Sequence, residues 1–266
     1  MKINNVEIAI IGGTGVYDSG LLTNAKQVKV YTPFGAPADL ITVGNYAGTT
    51  VAFLPRHGAN HAYPPHQVPY RANIWALKEL GVKRIIAPCA VGSLQENIHP
   101  GEIVVVDQFF DCTKNRKYGF YDGGEVCHIS VSEPFCCQLR KLVIKCLEDM
   151  GISHHKKGTT VTIEGPRYST RAESLFFKNV VKADIIGMTL VPECVLAREA
   201  EICYTSIATV TDYDSWAEHT VDTASVKNLM QSNVKIIREL LLKLIPQIES
   251  ERNSCLCSTA LQNAMI

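Results

Sequence analysis

The chain has 266 residues, 46% of them apolar and 20% charged, and its 26 basic and 26 acidic side chains cancel to a formal net charge of zero. Without a basic excess to neutralise phosphates along a duplex, nucleic acid is excluded as an expected partner. A membrane span is excluded as well: the longest run free of Asp, Glu, Lys and Arg, residues 40–55, is broken by Gly44, Asn45, Gly48 and three threonines, whereas a span needs about 20 mostly apolar residues.

Taken in chain order, an apolar run at 6–11 predicts a buried strand, and shorter runs at 28–31, 40–43 and 51–54 predict three more. Residues 71–80 place Ile74, Trp75, Leu77 and Leu80 near one face, which predicts a helix stopped by Gly81. Strands follow at 84–88 and 103–106, and a helix at 134–150 carries Phe135, Leu139, Leu142, Val143, Cys146 and Leu147 at helical spacing. Further strands are expected at 160–163, 184–188 and 204–210, with helices at 171–180 and 192–201 between them. The last helix is marked by Val226, Leu229, Met230, Ile237, Leu240, Leu241 and Leu244, with Asp222 or Thr223 as its cap. Alternating strand and helix implies an α/β protein with a mixed central sheet flanked by helices. No repeat or linker divides it, so a single domain over 1–266 is expected, with a polar, loosely held tail at about 247–266. The amino-terminal stretch lacks the apolar core of a secretory signal, and a cytoplasmic protein is expected.

Ten cysteines are many, but the chain is too long for a disulfide scaffold. No two C-x-x-C units pair up, which argues against a structural zinc site. Most are expected to be buried thiols acting as small apolar residues. Cys255 and Cys257, in the polar tail, read either as exposed thiols or as a redox-formed staple.

Chemistry-bearing residues cluster where strands end. The first strand runs into Gly12-Gly13-Thr14-Gly15, a turn that presents bare backbone N–H groups and a hydroxyl to an anion, or binds nothing. It has neither the G-x-G-x-x-G spacing of a dinucleotide site nor the ending of a P-loop. Arg56 and His57 follow the strand at 51–54 and offer a planar fork and a further donor to a phosphate. His61 and His66 raise a metal reading, which Pro64-Pro65 and the lack of a nearby carboxylate or thiol disfavour. The small-residue turn Cys89-Ala90-Val91-Gly92 lets backbone approach a ligand at a sheet's carboxyl edge. Tyr168 and Ser169 end another strand; Tyr168 could face a flat heterocycle or pack in the core, and Arg171 could pair with Glu173. Met188 and Thr189 close the next strand. Asp212 and Asp214 follow the last, where a carboxylate can bond an amino group and a ring nitrogen together or merely cap a turn.

The motifs GGTG, PRHG, YRANIWALKELG, GSL with PG, VTIEGPRYSTRAES, IIGMTLVPE and TDYDSW occur in an order that resembles the trimeric nucleoside phosphorylase family, over roughly residues 6–245. The resemblance is to its members that cleave 5′-methylthioadenosine. It implies a nucleoside phosphorylase-like fold and attack of phosphate on C1′ with inversion, through an oxocarbenium-like transition state with a purine leaving group. Phosphate is then a co-substrate, with no cofactor and no metal. It assigns Thr14, Arg56, His57, Cys89, Ala90 and Thr189 to phosphate. Met188 falls beside the ribose and Tyr168 along the base, while Ser169 and Asp212 bond the purine with Asp214 in support. Asp212 in place of Asn, and Ser169 in place of Glu, favour adenine over 6-oxopurines. The resemblance also implies a homotrimer or dimer of trimers with sites at subunit interfaces, where His128 crosses to a neighbour's 5′ pocket and the segment near Ser225 and Val226 forms the other wall. A broad phosphorylase for adenosine, inosine or guanosine is the alternative. Two positions depart from the family: Cys89 stands for a hydroxyl or amide side chain, and Tyr168 for the commoner Phe. Heat-adapted members bridge cysteines matching Cys136–Cys203 and Cys255–Cys257, although the 20% charged fraction is below that of hyperthermophiles.

Overall fold

The computed structural model describes residues 6–13, 22–217, 223–249, 251–252 and 255–266, and of residues 223–228 the backbone alone. The first apolar run forms β1 (Ile8–Gly12), every residue of it buried. Side chains alternate along a strand, so Ile8 and Ile10 enter the core on one side of the sheet and Ala9 and Ile11 the core on the other. Burial on both faces is why the run shows no polar alternation. The chain continues through β2 (Thr23–Val28), β3 (Ile41–Tyr46), β4 (Thr49–Pro55), α1 (Tyr70–Glu79), β5 (Arg84–Ser93), β6 (Ile103–Val105) and β7 (Gln108–Cys112). Then come α2 (Cys137–Asp149), β8 (His154–His155), β9 (Thr159–Ile163), α3 (Arg171–Phe176), β10 (Ile185–Gly187), α4 (Leu190–Glu199), β11 (Cys203–Tyr213) and α5 (Thr223–Leu244).

These strands form one mixed sheet ordered β2-β3-β4-β1-β5-β10-β9-β7, and β11 adds to β5 and carries β6 and then β8. Helices cover both faces. Ile74 and Leu77 of α1 join Leu190, Leu196 and Ala197 of α4 on one side; Val143 and Leu147 of α2 join Ile237, Leu240, Leu241 and Leu244 of α5 on the other. The expected mixed α/β architecture is therefore present.

β5 is the pivot. It runs parallel to β1 only through Ile86 and meets β10, antiparallel, at Gly92 and Ser93. Between these pairings one edge of β5 has no strand among the described residues, while β11 stays parallel along its other edge. Sheets of this kind bind ligands in the crevice where neighbouring strands part. β11 carries one extra residue there: Val210 pairs with Val91 and Asp212 with Gly92, so Thr211 bulges. A bulge re-aims the side chain that follows it.

The differences from the expected elements have local causes. β2 ends where a strand was expected to begin, because Thr23–Gln27 is exposed and polar and pairs only with β3. The helix expected at 171–180 stops at Phe176 and passes into a π turn, Phe177–Val181, closed by left-handed Lys182. The short strands β7 and β8 carry no alternating apolar signal and were not expected. The cap at Asp222 lies outside the described residues.

The tail is not loose. Arg84 donates to the Glu251 carbonyl at 2.7 Å, Arg252 to the Glu201 carbonyl at 2.7 Å, and the Leu261 N–H to Glu201 Oε1 at 3.2 Å. Its end pairs with residues 126–128, where His128 N–H donates to the Ala264 carbonyl at 2.7 Å. All ten cysteines are free thiols. Neither of the two disulfides is present; Cys136, Cys203, Cys255 and Cys257 instead gather in one cluster, and Cys257 is buried rather than exposed.

Candidate active site

Where β1, β5, β10 and β11 part lies a cavity of about 260 Å³, near the lower end of small-molecule sites at roughly 300 Å³. Its lining joins the ends of the strands singled out above: Arg56 and His57 after β4, Cys89 and Ala90 from β5, Tyr168 after β9, Met188 and Thr189 after β10, and Asp212 and Asp214 from β11. Gly13 also lines it; Thr14, the next residue, lies outside the described residues, and so do the side chains of Ser225 and Val226. Two expected residues do not line it. The Ser169 hydroxyl is buried and without a hydrogen-bond partner, and His128 is exposed in the loop that pairs with the chain's end.

Arg56 is held more tightly than its sequence neighbourhood suggests. Its Nε and Nη2 donate to Glu193 Oε2 and Oε1 at 2.7 and 2.9 Å, and Nη1 and Nη2 donate to the Pro88 and Ile11 carbonyls at 3.2 Å each. The Glu193 side chain is fully buried, and the Tyr204 hydroxyl donates to it at 2.8 Å. A guanidinium has five N–H groups, so among the described residues one is left for a ligand. The Arg56 fork therefore grips Glu193, and the cavity receives its positive charge and a single donor. Sequence reading placed Glu193 in a motif but gave it no role. The signal was a carboxylate on the buried side of an otherwise apolar helix, which demands a cationic partner.

His57 Nδ1 lies 2.8 Å from the Tyr63 carbonyl. A carbonyl only accepts, so Nδ1 carries the proton. Burial, and then the charge of Arg56, push the imidazole down to about 4, so the ring is neutral at pH 7 and Nε2 is an acceptor. The expected donor is thus an acceptor until an anion arrives and raises its basicity. The His61 ring stacks on it with centroids 4.1 Å apart.

Asp212 sits beside bare backbone. A Cβ on Gly92 would come within 3.0 Å of Asp212 Oδ1 and 3.4 Å of Asp214 Cβ, so glycine makes room for both carboxylates. Burial, with the nearby Asp214 charge, raises Asp212 to about 6, against a hydrogen bond from Thr211 Oγ1 at 2.8 Å. Asp214 is also raised, chiefly by burial, and the nearby Ser174 and Ser169 hydroxyls oppose the rise; its Oδ2 has no hydrogen-bond partner among the described residues. Tyr168 presents a ring that is 46% exposed on the cavity wall. Gly165 just before it has φ +66°, and a Cβ there would meet Met188 Sδ at 2.7 Å, so this turn needs glycine on two counts. The Cys89 thiol faces Ser206 Oγ at 3.5 Å and is kept protonated by burial. Glu173 pairs with Arg167 at 2.7 Å and closes a capping box with Thr170, not with Arg171 as expected.

A buried cation and a cluster of backbone groups thus share one cavity with a half-exposed aromatic ring and a carboxyl group poised near neutrality. Such a set can hold an anion while steadying charge that develops on a leaving heterocycle.

The chain belongs to the phosphorylase superfamily, whose family model matches residues 7–246. It is 54% identical over 262 residues to the S-methyl-5′-thioadenosine phosphorylase of Hyperthermus butylicus, covering 98% of this chain and 96% of that protein. Among solved structures it is similar to a methylthioadenosine phosphorylase from an antarctic soil metagenomic library, with TM-score 0.93, 43% identity and coverage of 99% of this chain and 93% of that one. It is similar as well to a mutant of the adenosine/methylthioadenosine phosphorylase of Schistosoma mansoni solved with methylthioadenosine; the TM-score is 0.88, the identity 39%, and the coverage 97% and 99%.

Proposed function

We propose that this protein cleaves 5′-methylthioadenosine with inorganic phosphate to adenine and 5-methylthioribose 1-phosphate, as a pentosyltransferase. The observation that carries this reading is the placement of Arg56 and Asp212 on one cavity, with Tyr168 and Met188 also on its wall. Phosphate sits against the Arg56 charge, the Cys89–Ala90 backbone and Thr189, with Thr14 completing the cradle. Tyr168 stacks on the adenine, Met188 flanks the ribose, and Asp212, carrying or sharing a proton, stabilises N7 as the glycosidic bond breaks. Holding phosphate beneath C1′ is worth several kcal/mol in positioning, on the order of 7. Ser169 acts on the base by turning its unpartnered hydroxyl to the ligand, and Asp214 backs Asp212. Phosphate is the co-substrate, and the chemistry asks for no further cofactor. No helix among the described residues is long and apolar enough to cross a membrane, in keeping with a cytoplasmic enzyme. A homotrimer, alone or doubled, places His128 of one protomer over its neighbour's 5′ pocket; exposure of His128 away from its own cavity supports this.

The test is phosphate-dependent release of adenine, with kcat/KM compared for methylthioadenosine, adenosine and inosine. Methylthioadenosine should lead, and a lead for inosine would overturn the choice of substrate.

A further inference from the structure

The Sγ atoms of Cys136, Cys203, Cys255 and Cys257 all lie within 4.8 Å of one another, and none of the four lines the cavity. Cys203 and Cys255 are 3.5 Å apart. Four thiolates around zinc, at about 2.3 Å each, form a tetrahedron whose edges are roughly 3.8 Å. We propose that these four cysteines form a structural tetrathiolate zinc site that fastens the carboxyl-terminal tail to the body of the protein.

The backbone builds the ligand set from three distant segments. Cys136 is the residue preceding α2, Cys203 opens β11, and Cys255 and Cys257 come from the tail. Cys255 is extended, with φ −135° and ψ 151°. Cys257 lies in the 3-10 turn Leu256–Thr259 that follows, and the change of backbone brings both tail sulfurs into the cluster while Leu256 between them is 78% exposed. Leu139 and Ile248 pack around the sulfurs and keep water out.

The charge of four thiolates on one divalent ion, a net of −2, needs help from its surroundings, and help is present. Arg198 Nη1 donates to Cys257 Sγ at 3.8 Å, and the Gln138 and Leu139 backbone N–H groups at the start of α2 point to Cys136 Sγ. Such outer partners commonly steady thiolate ligands. Each thiol releases its proton to solvent as it takes the ion. All ten cysteines are free thiols, and the four sulfurs gather as one group rather than as two bridged pairs; Cys203 and Cys255, 3.5 Å apart, belong to neither of the pairings implied by heat-adapted relatives. Counting C-x-x-C units could not reveal the site, because only two of its ligands are near in sequence.

The experiment uses the full chain purified under argon with a thiol reductant. Elemental analysis should find one zinc per chain, and Cys255→Ser and Cys257→Ser should each lose it and melt at a lower temperature. Chain stripped of metal and titrated with Co²⁺ should show the intense visible bands of tetrahedral thiolate-bound cobalt, saturating at one equivalent. A wild-type chain without zinc that gives no such bands overturns the proposal, as does zinc that survives both substitutions. Peptide mapping that finds the four cysteines bridged in the freshly purified, unreduced protein overturns it too. The outcome is independent of which nucleoside the enzyme cleaves.

Discussion

In the proposed reaction, Asp212 is the residue on which the chemistry turns. Its carboxyl group, lifted to about 6 by burial, is protonated in a useful fraction of molecules near neutral pH, and that fraction falls as pH rises. If the protonated form assists the leaving purine, kcat/KM should decline as pH climbs above 6. Phosphate titrates in the same region, so the comparison that matters is with Asp212→Asn: the substituted enzyme should lose most of its kcat and the part of the decline that belongs to the carboxyl. Identical profile shapes for the two proteins would remove Asp212 from the role of acid. His57 has the opposite protonation logic. Its folded value, about 4, lies below that of the unfolded chain, so the unfolded state binds more protons between roughly pH 4 and 6.5. Acid therefore costs the protein stability in that window, and the loss is absent above it. Asp212 and Asp214 were legible as a pair of carboxylates after an apolar strand. The state of His57 was not, because it is set by the Tyr63 carbonyl and the Arg56 charge, which only the folded chain brings together.

Among the elements, the contact of β4 with α4 is decisive. Arg56 at the end of one and Glu193 in the first turn of the other are both buried and joined by two hydrogen bonds. Arg56→Ala removes the positive charge that phosphate would meet, and it also strands a carboxylate in the core. Such stranding costs about 3–5 kcal/mol. The substitution should thus raise KM for phosphate and lower the unfolding free energy together, as measured by initial rates and by denaturant titration. Loss of phosphate affinity with unchanged stability would contradict the pair's role as a clamp between the elements. The order of strands and helices was readable from apolar runs because most are buried on both faces or on a helical stripe. The ends of elements were less so. β2 is an exposed edge whose polar residues give no alternation, and the bulge at Thr211 depends on the register between β5 and β11, which no local pattern encodes.

At the scale of the whole molecule, His128 and the end of the chain belong together: the loop that bears His128 is paired to Ala264 through its backbone. If this loop reaches into a neighbouring protomer's site, His128→Ala should raise KM for methylthioadenosine while leaving adenosine little changed, with sedimentation showing the assembly intact. An equal effect on both nucleosides would place His128 outside the 5′ pocket. A surface for self-association could not be read from the chain's composition, since a surface that meets another copy looks like any other surface until its partner is present.

The strand β11 starts at Cys203 and ends beside Asp212 and Asp214. Eleven residues of extended chain, at roughly 3.3 Å each, set these ends on the order of 30 Å apart. Sulfur at one terminus and carboxylates at the other share a single buried rod, and none of the four cysteines lines the cavity that holds Asp212 and Asp214. A spectroscopic label placed at the exposed Leu256 would therefore sit at the opposite end of that rod from Asp212 and report on the tail's fastening alone.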